Sequence, residues 1–124
     1  MPSIEVVYYQ NDNNDVPMKD WLESLSRQPK HRAKCIEWIG LLRDNGRDLR
    51  RPIADYLRDG VYELRPRIQK IRYRMLYFFH LKKRAVITHG ITKQTDKVPP
   101  IAVMMKKTYE KAPDEHSYRE IDHE

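Results

Sequence analysis

Basic side chains recur at every second position along two stretches that are typical of β-strands. Residues 61–67 and 69–80 are rich in β-branched and aromatic residues, which predicts two strands joined by a very short connection. Because successive side chains of a strand point to opposite faces, we expect their alternating basic residues to share one face. The predicted face carries Arg65, Arg67, Lys70, Arg72 and Arg74, with Glu63 as its only carboxylate.

This set of residue types suits the binding of a phosphodiester. Arginine can present two parallel donors to phosphate oxygens, which lysine cannot, and five like charges on adjacent strands cost stability. A solvated sheet face is the competing interpretation, although such a face usually mixes both signs of charge. Glu63 also has two possible roles, as a general base or as an ion-pair partner of Arg65 or Arg74.

Proline, glycine and apolar spacing predict the elements of the first half of the chain. Residues 4–9 favour a strand, and helices are predicted to begin near Pro17 and at Pro29. Asn45-Gly46 is a fitting end for the second helix, because glycine accepts the left-handed conformation past a helix end. The apolar stripes of the two helices are Met18, Trp21, Leu22 and Leu25, and then Ala33, Ile36, Ile39 and Leu42.

In the second half of the chain, a further strand is predicted over residues 84–93, after a turn at 81–83. A last helix is predicted from Pro99-Pro100 to Pro113. The order β-α-α-β-β-β-α predicts an α+β domain whose helices pack on a largely antiparallel sheet. The core face of the long strand is predicted to consist of Ile71, Tyr73, Met75, Tyr77 and Phe79.

Length and charge limit the classes of protein. The 124 residues favour one domain over residues 1–112, followed by a mobile acidic tail over 113–124. The net charge is +6 and the tail carries −4, so residues 1–112 carry +10, which indicates a polyanionic partner. A single cysteine, no apolar run of membrane-spanning length and no export signal predict a cytoplasmic protein without a membrane partner. No spacing of metal ligands or cofactor motif is recognisable.

Three runs of residues carry a resemblance to a known family. They are DGVYELR at 59–65, YRMLY at 73–77 and HGITKQTDKVP at 89–99. Together, in this order and within residues 4–112, they resemble the RelE/HigB superfamily of toxins from type II toxin–antitoxin systems, and most closely its phage-derived HigB-like branch. The resemblance implies a RelE-like fold.

The resemblance also implies an activity, which is metal-independent cleavage of messenger RNA in the ribosomal A site. The partners it implies are the ribosome, mRNA and a cognate antitoxin, often a helix-turn-helix DNA-binding protein. The residues that match family positions are Arg74 as the transition-state phosphate contact and Arg65 as a second basic group. Lys93 falls in the segment where the family carries another basic residue, which implies a phosphate or ribosomal RNA contact. Glu63 is a candidate base as the only carboxylate of the predicted face, and not by a match to the family. Arg67, Lys70 and Arg72 are assigned to RNA binding.

The chain departs from the best-studied RelE toxins, which carry two lysines where Val61 and Glu63 stand here and a tyrosine near Pro99-Pro100. Two alternative functions therefore stay open: a ParE-like inhibitor of DNA gyrase, and a basic RNA- or antitoxin-binding module without catalysis. His89 shares the parity of Ile87 and Ile91, which predicts a core histidine. His80 is a minor candidate for the site, and His31, His116 and His123 are predicted to be exposed.

Overall fold

The computed structural model describes residues 3–92 and 100–119 and has three α-helices in these ranges. The helices are α1 (Pro17–Ser24), α2 (Pro29–Asn45) and α3 (Pro100–Lys111). The strands are β1 (Glu5–Tyr9), β2 (Ala54–Arg58), β3 (Val61–Leu64), β4 (Arg67–Ile68), β5 (Ile71–Arg72), β6 (Arg74–His80), β7 (Arg84–Ile91) and β8 (Ser117–Tyr118). Short 3-10 turns cover Gly46–Asp48 and Pro113–Glu115.

Proline marks the start of each helix, as the sequence predicts. Pro17 and Pro29 occupy the first turns of α1 and α2, where a missing backbone N–H costs nothing because no partner exists there. Gly46 closes α2 with a φ of 53°, a conformation that glycine adopts without strain. The turn predicted at residues 81–83 lies between β6 and β7.

The main sheet has six strands in the order β2-β3-β6-β7-β1-β8. β1 runs parallel to β7, and the other neighbouring strands pair antiparallel. The two-residue strands β4 and β5 form a separate small hairpin. The predicted α+β class with a largely antiparallel sheet is confirmed.

Helices cover both faces of the sheet. Helices α1 and α2 pack on one face, where Met18 and Leu42 join Tyr8, Met75 and Tyr77 in the main core. Helix α3 packs on the other face, where Tyr109 contacts a cluster with Phe78 and Val86, and Ala102 one with Val61 and Leu76. The second face is therefore mostly apolar, and its charged side chains lie at its two ends.

Three features of the middle of the chain differ from the sequence prediction. Strand β2 was not predicted, because Asp55 and Arg58 interrupt its apolar character. The strand predicted over 69–80 begins with the turn of the β4–β5 hairpin, where Gln69 has a φ of 57°, and it is divided at Tyr73, which separates β5 from β6. Ile36, expected in the stripe of α2, is 42% exposed, and Cys35 is buried in the core.

The C-terminal segment belongs to the sheet up to the end of the described residues. Ser117–Tyr118 pairs with β1, and His116 is buried against the Tyr9 ring at 5.5 Å. The domain boundary expected at residue 112 and the exposure expected for His116 are corrected accordingly, because β1 offers an edge that this segment covers. Residues 120–124, which include His123, lie outside the described ranges. Within those ranges, no helix is both long and apolar enough to cross a bilayer.

Candidate functional site

A buried ion pair lies at the open end of the α3 face. Glu63 on β3 and Arg74 at the start of β6 are only 6% and 7% exposed. The Nε–H of Arg74 donates a hydrogen bond to Oε1 of Glu63. Of the two roles that the sequence left open for Glu63, the structure shows the ion-pair role.

Arg65 contacts the same carboxylate from the end of β3. Its Nε lies 3.5 Å from Oε2 of Glu63. That Nε is buried, and within the described residues no acceptor forms a hydrogen bond with it. The backbone N–H of Arg65 donates to the carbonyl of Ile53 at 2.9 Å, which fixes this segment beside β2. A buried donor without an acceptor is uncommon and costs stability.

The β4–β5 hairpin places two more arginines beside Arg65. Arg67 and Arg72 are direct partners in its short ladder, and the turn puts Lys70 at the exposed tip. Burial lowers the pKa of Arg72, and the charges of Arg65 and Arg67 lower it further. Arg51, from the segment before β2, has the same effect on Arg72. We call Arg65, Arg67 and Arg72 the arginine cluster.

Tyr73 anchors the hairpin to the core between the two arginines that flank it. Its hydroxyl lies 2.8 Å from Nδ1 of His31, which is half-buried rather than exposed as predicted. Its ring meets Trp21 edge to face at 5.7 Å. Gly90 makes room for this arrangement, since a Cβ there would lie 2.1 Å from Trp21 Cδ2. The hairpin is thus held by packing as well as by its own ladder.

The structure divides the single exposed surface that strand parity predicted. Arg74 and Glu63 are buried and form its floor. Arg65 and Arg72 are half-buried above that floor, and Arg67 and Lys70 are exposed. Lys93 lies outside the described residues.

A β-bulge brings His89 to the same face as the ion pair. Ile87 pairs with Tyr77 and His89 with Leu76, so Thr88 is an extra residue without a partner in β6. The bulge reverses the parity, and His89 lies opposite to Ile87 instead of sharing its face. Leu76 also pairs with Glu63, which puts His89 and Glu63 in one row across three strands. The sequence analysis assigned this histidine to the core because a bulge leaves no clear signal.

The surroundings of His89 favour its neutral form. Burial lowers the pKa of His89 below its usual value of 6.5. Its Nδ1 lies 3.0 Å from the Thr88 hydroxyl oxygen, and that hydroxyl donates to the carbonyl of Leu76 at 3.3 Å. The hydroxyl proton is thereby used, so Nδ1–H is the donor to Thr88. Nε2 then carries the lone pair and can accept a proton.

Among residues 3–92 and 100–119, no three histidine, cysteine or acidic side chains are grouped so as to hold a metal ion. The groups assembled at this end of the sheet are guanidinium donors, one carboxylate and one imidazole.

A family model supports these observations. The model described as Phage derived protein Gp49-like (DUF891) matches residues 20–116, a range that includes the ion pair, the arginine cluster and His89. No curated protein matches the chain.

Proposed function

Because the chain belongs to the Gp49-like family of phage-derived proteins, which is a RelE/HigB-like toxin family, we propose that it is the toxin of a type II toxin–antitoxin system and a ribosome-dependent messenger-RNA endoribonuclease. The observation that carries the proposal is the arginine cluster above the Glu63–Arg74 pair. Among the described residues, the arginine cluster lies close to a carboxylate that is already paired with Arg74, so positive charge is in excess there. A phosphodiester would offset that excess.

RNA supplies its own nucleophile for the proposed reaction. The 2′-hydroxyl attacks the adjacent phosphorus, the bond to the 5′ oxygen of the next nucleotide breaks, and a 2′,3′-cyclic phosphate and a 5′-hydroxyl result. Negative charge builds on the non-bridging oxygens in the transition state, and fixed N–H donors stabilise it. One proton must leave the nucleophile and one must reach the leaving oxygen.

Arg65 and Arg72 are the proposed phosphate contacts. Both are half-buried, so their guanidinium groups work in a partly dehydrated setting where charge–charge attraction is stronger than in water. Arg67 and Lys70, at the exposed rim, would contact neighbouring phosphates.

Arg74 takes a different role in this proposal from the direct phosphate contact that its family position implies. Its burial and its bond to Glu63 make it a positioning residue, which holds the carboxylate that in turn orients Arg65. Glu63 is likewise a positioning residue and not the base. Lys93 keeps its proposed role as a phosphate or ribosomal RNA contact.

His89 is the proposed proton acceptor. It is the one histidine on the face and in the row of the ion pair among the described residues, and its lowered pKa keeps the imidazole neutral at pH 7. A neutral imidazole can take the 2′-hydroxyl proton as a general base.

The proposed partners follow from the family and from charge. A family of toxins from toxin–antitoxin systems supports a cognate antitoxin, and a helix-turn-helix DNA-binding protein is the proposed kind. An antitoxin that covers the arginine cluster would silence the toxin. Ribosomes and mRNA would bind in the cytoplasm through the net positive charge of the domain, with an affinity that falls as salt rises.

A second candidate function is a binding module without catalysis. The closed Glu63–Arg74 pair favours it, because the residue at the family's arginine position is not exposed to a ligand. Such a module would bind RNA or the antitoxin but would leave messages intact. No described feature of the site favours the ParE-like gyrase inhibitor over either.

Induced expression with mapping of RNA 5′ ends tests the proposal. The wild type should arrest growth and create new 5′ ends within translated messages, and co-expression of the antitoxin should abolish both effects. The double variant Arg65→Ala/Arg72→Ala should create none, whereas the charge-matched variant Arg27→Ala/Arg32→Ala should cut like the wild type. Intact messages with growth arrest and gyrase-dependent DNA breaks would overturn the proposal in favour of the ParE-like function, and intact messages with RNA binding in favour of the binding module.

A further inference from the structure

A second basic surface lies beside the edge strand β2. Arg47, Arg50 and Arg51, from the segment between α2 and β2, line a groove of about 620 Å³ together with Leu49, Ala54, Asp55, Tyr56 and Tyr62. Three arginines face one carboxylate there, so the groove is net positive. We call it the arginine–tyrosine groove.

Tyr56 gives this groove an exposed but fixed aromatic ring. Tyr56 is 53% exposed and lies on the edge strand β2. The backbone N–H of Gly60 donates to the Tyr56 hydroxyl at 3.1 Å, which tethers the ring at its far end. The ring also meets Tyr62 edge to face at 5.0 Å, and Tyr62 stacks on the buried Tyr77 at 5.4 Å. An exposed aromatic ring that is held in place suits a stacking role, because little side-chain entropy is lost when a ligand binds.

The arginines of the groove are held as well. Arg47 lies over the ring of Phe79 at 4.3 Å and donates to the carbonyl of Leu81 at 3.2 Å. Arg50 donates to the carbonyl of Leu49 at 3.1 Å and to that of Arg47. Among residues 3–92 and 100–119, the partners of Arg47 and Arg50 are carbonyls and a ring, and no carboxylate of these residues forms an ion pair with either arginine. Arg51 differs, since it pairs with Asp55 at 2.7 Å.

We propose that the arginine–tyrosine groove binds single-stranded RNA, with one base stacked on Tyr56 and the adjacent phosphates contacted by Arg47 and Arg50. Positively charged grooves with aromatic platforms are the usual means of holding single strands without sequence preference. An acidic peptide would use the charges but not the exposed ring. The proposal takes RNA as the ligand from the proposed function, and it adds a subsite where RNA is held and not cut.

Arg51 connects the groove to the arginine cluster. It lines the groove and lies close enough to Arg72 for its charge to lower the pKa of that residue. A strand that occupied the groove could therefore pass the edge of β2 and reach Arg65 and Arg72 with its next phosphates. The groove would hold the message beside the scissile bond.

Binding of a fluorescent 2′-O-methyl RNA oligonucleotide to the full chain tests the inference, because this RNA lacks the nucleophile and cannot be cut. Tyr56→Ala should weaken binding about tenfold, which is within the range for loss of one base–aromatic stack. Tyr56→Phe keeps the ring and should bind within about twofold of the wild type, by the same argument. Arg50→Ala should reduce the salt dependence of the affinity by about 0.7 in log–log slope, as expected for one lost phosphate contact with a single strand. Arg27→Ala, an exposed arginine in the turn after α1, is the charge-matched control and should change neither quantity.

Wild-type affinity in both Tyr56→Ala and Arg50→Ala would overturn the inference, as would no measurable binding by the wild type. If Tyr56→Ala does not fold, the salt slope of Arg50→Ala decides the question alone. The result is separable from the proposed function. If messages are cleaved but the groove variants bind RNA like the wild type, only the RNA-binding role of the groove is rejected. If binding depends on the groove but no message is cleaved, only the nuclease function is rejected.

Discussion

Two glutamates on the α3 face of the sheet are each contacted by two arginines, and the two clusters differ in how completely they are paired. Glu5, on β1, accepts from Arg84 at 2.8 Å through one oxygen and from Arg119 at 2.7 Å through the other. Arg84 also donates to the Tyr109 hydroxyl at 2.8 Å. Each described contact of this Glu5 cluster joins a hydrogen-bond donor to an acceptor, and its side chains are partly exposed.

The Glu63 cluster is buried and carries excess charge. Arg74 is paired, but the Nε of Arg65 is not hydrogen-bonded within the described part of the chain, and Arg67 and Arg72 add further charges beside it. The same residue types therefore form a finished structural contact at one end of the face and an incomplete one at the other. The excess of positive charge, and not the presence of arginines, therefore distinguishes the end of the face that we propose binds RNA.

Removing the charge of each glutamate should give the largest difference in stability between the two clusters. Glu63→Gln removes one partner of a buried ion pair, so we expect the free energy of unfolding to fall by about 3–5 kcal/mol. Glu5→Gln acts on a partly exposed contact and should cost about 0.2–1 kcal/mol. Urea denaturation of both variants measures the difference. Equal losses would show that burial does not distinguish the clusters.

A double variant sharpens this comparison. Glu63→Leu/Arg74→Met replaces the buried pair with apolar side chains of similar volume, so most of the stability lost in Glu63→Gln should return. The double variant should unfold within about 1–2 kcal/mol of the wild type in the same urea experiment, since such replacements are often neutral. A double variant as unstable as Glu63→Gln would mean that the pair is needed for packing and not only for charge balance.

His89 should make the Glu63 end of the face sensitive to mild acid. Its folded pKa is lowered by burial, so the unfolded chain binds the proton more readily, and stability falls as pH drops below 6.5 toward the folded pKa. Cleavage measured as kcat/KM should fall about tenfold per pH unit below that folded pKa, because the base becomes protonated. In His89→Gln the acid limb of both profiles should disappear. Cleavage by His89→Gln at the wild-type rate would exclude His89 as the base.

Glu5 should respond at lower pH and with a smaller effect. Burial raises its pKa, but hydrogen bonds from Arg119 and Arg84 outweigh burial and lower it below the usual 4.5. The stability that this carboxylate contributes is therefore present above pH 4.5 and lost as pH falls through the folded pKa. For a partly exposed group we expect at most about 1 kcal/mol. Wild type and Glu5→Gln should converge in unfolding free energy as the pH falls through the folded pKa of Glu5; a constant gap would contradict the assignment.

The helices and the class of fold could be predicted because their signals are local. Proline and glycine at positions such as Pro29 and Gly46 determine backbone geometry whatever the rest of the chain does. Strand β2 and the edge strand β8 could not be predicted, since Asp55 and Arg58 interrupt the apolar pattern of β2 and β8 has only two residues.

The residue types of the candidate site could be predicted from the sequence. Which of its side chains are buried and which are exposed could not. Alternation correctly grouped Met75, Tyr77 and Phe79 on the core side. It placed Arg74 at the surface because sequence spacing does not show that α3 covers the other face. The bulge at Thr88 depends on register with β6, so its effect on His89 could be seen only in three dimensions.

The cleavage rate of the arginine variants tests the central claim most directly. Purified wild type, Arg65→Ala, Arg72→Ala and Arg119→Ala are compared on a message held by translating ribosomes, after circular dichroism shows that each is folded. Loss of one transition-state donor should slow cleavage about 100-fold in Arg65→Ala and in Arg72→Ala. Arg119→Ala, which loses an arginine from the Glu5 cluster, should cleave at the wild-type rate. Equal rates in all four proteins, or an equal loss in all three variants, would contradict the account.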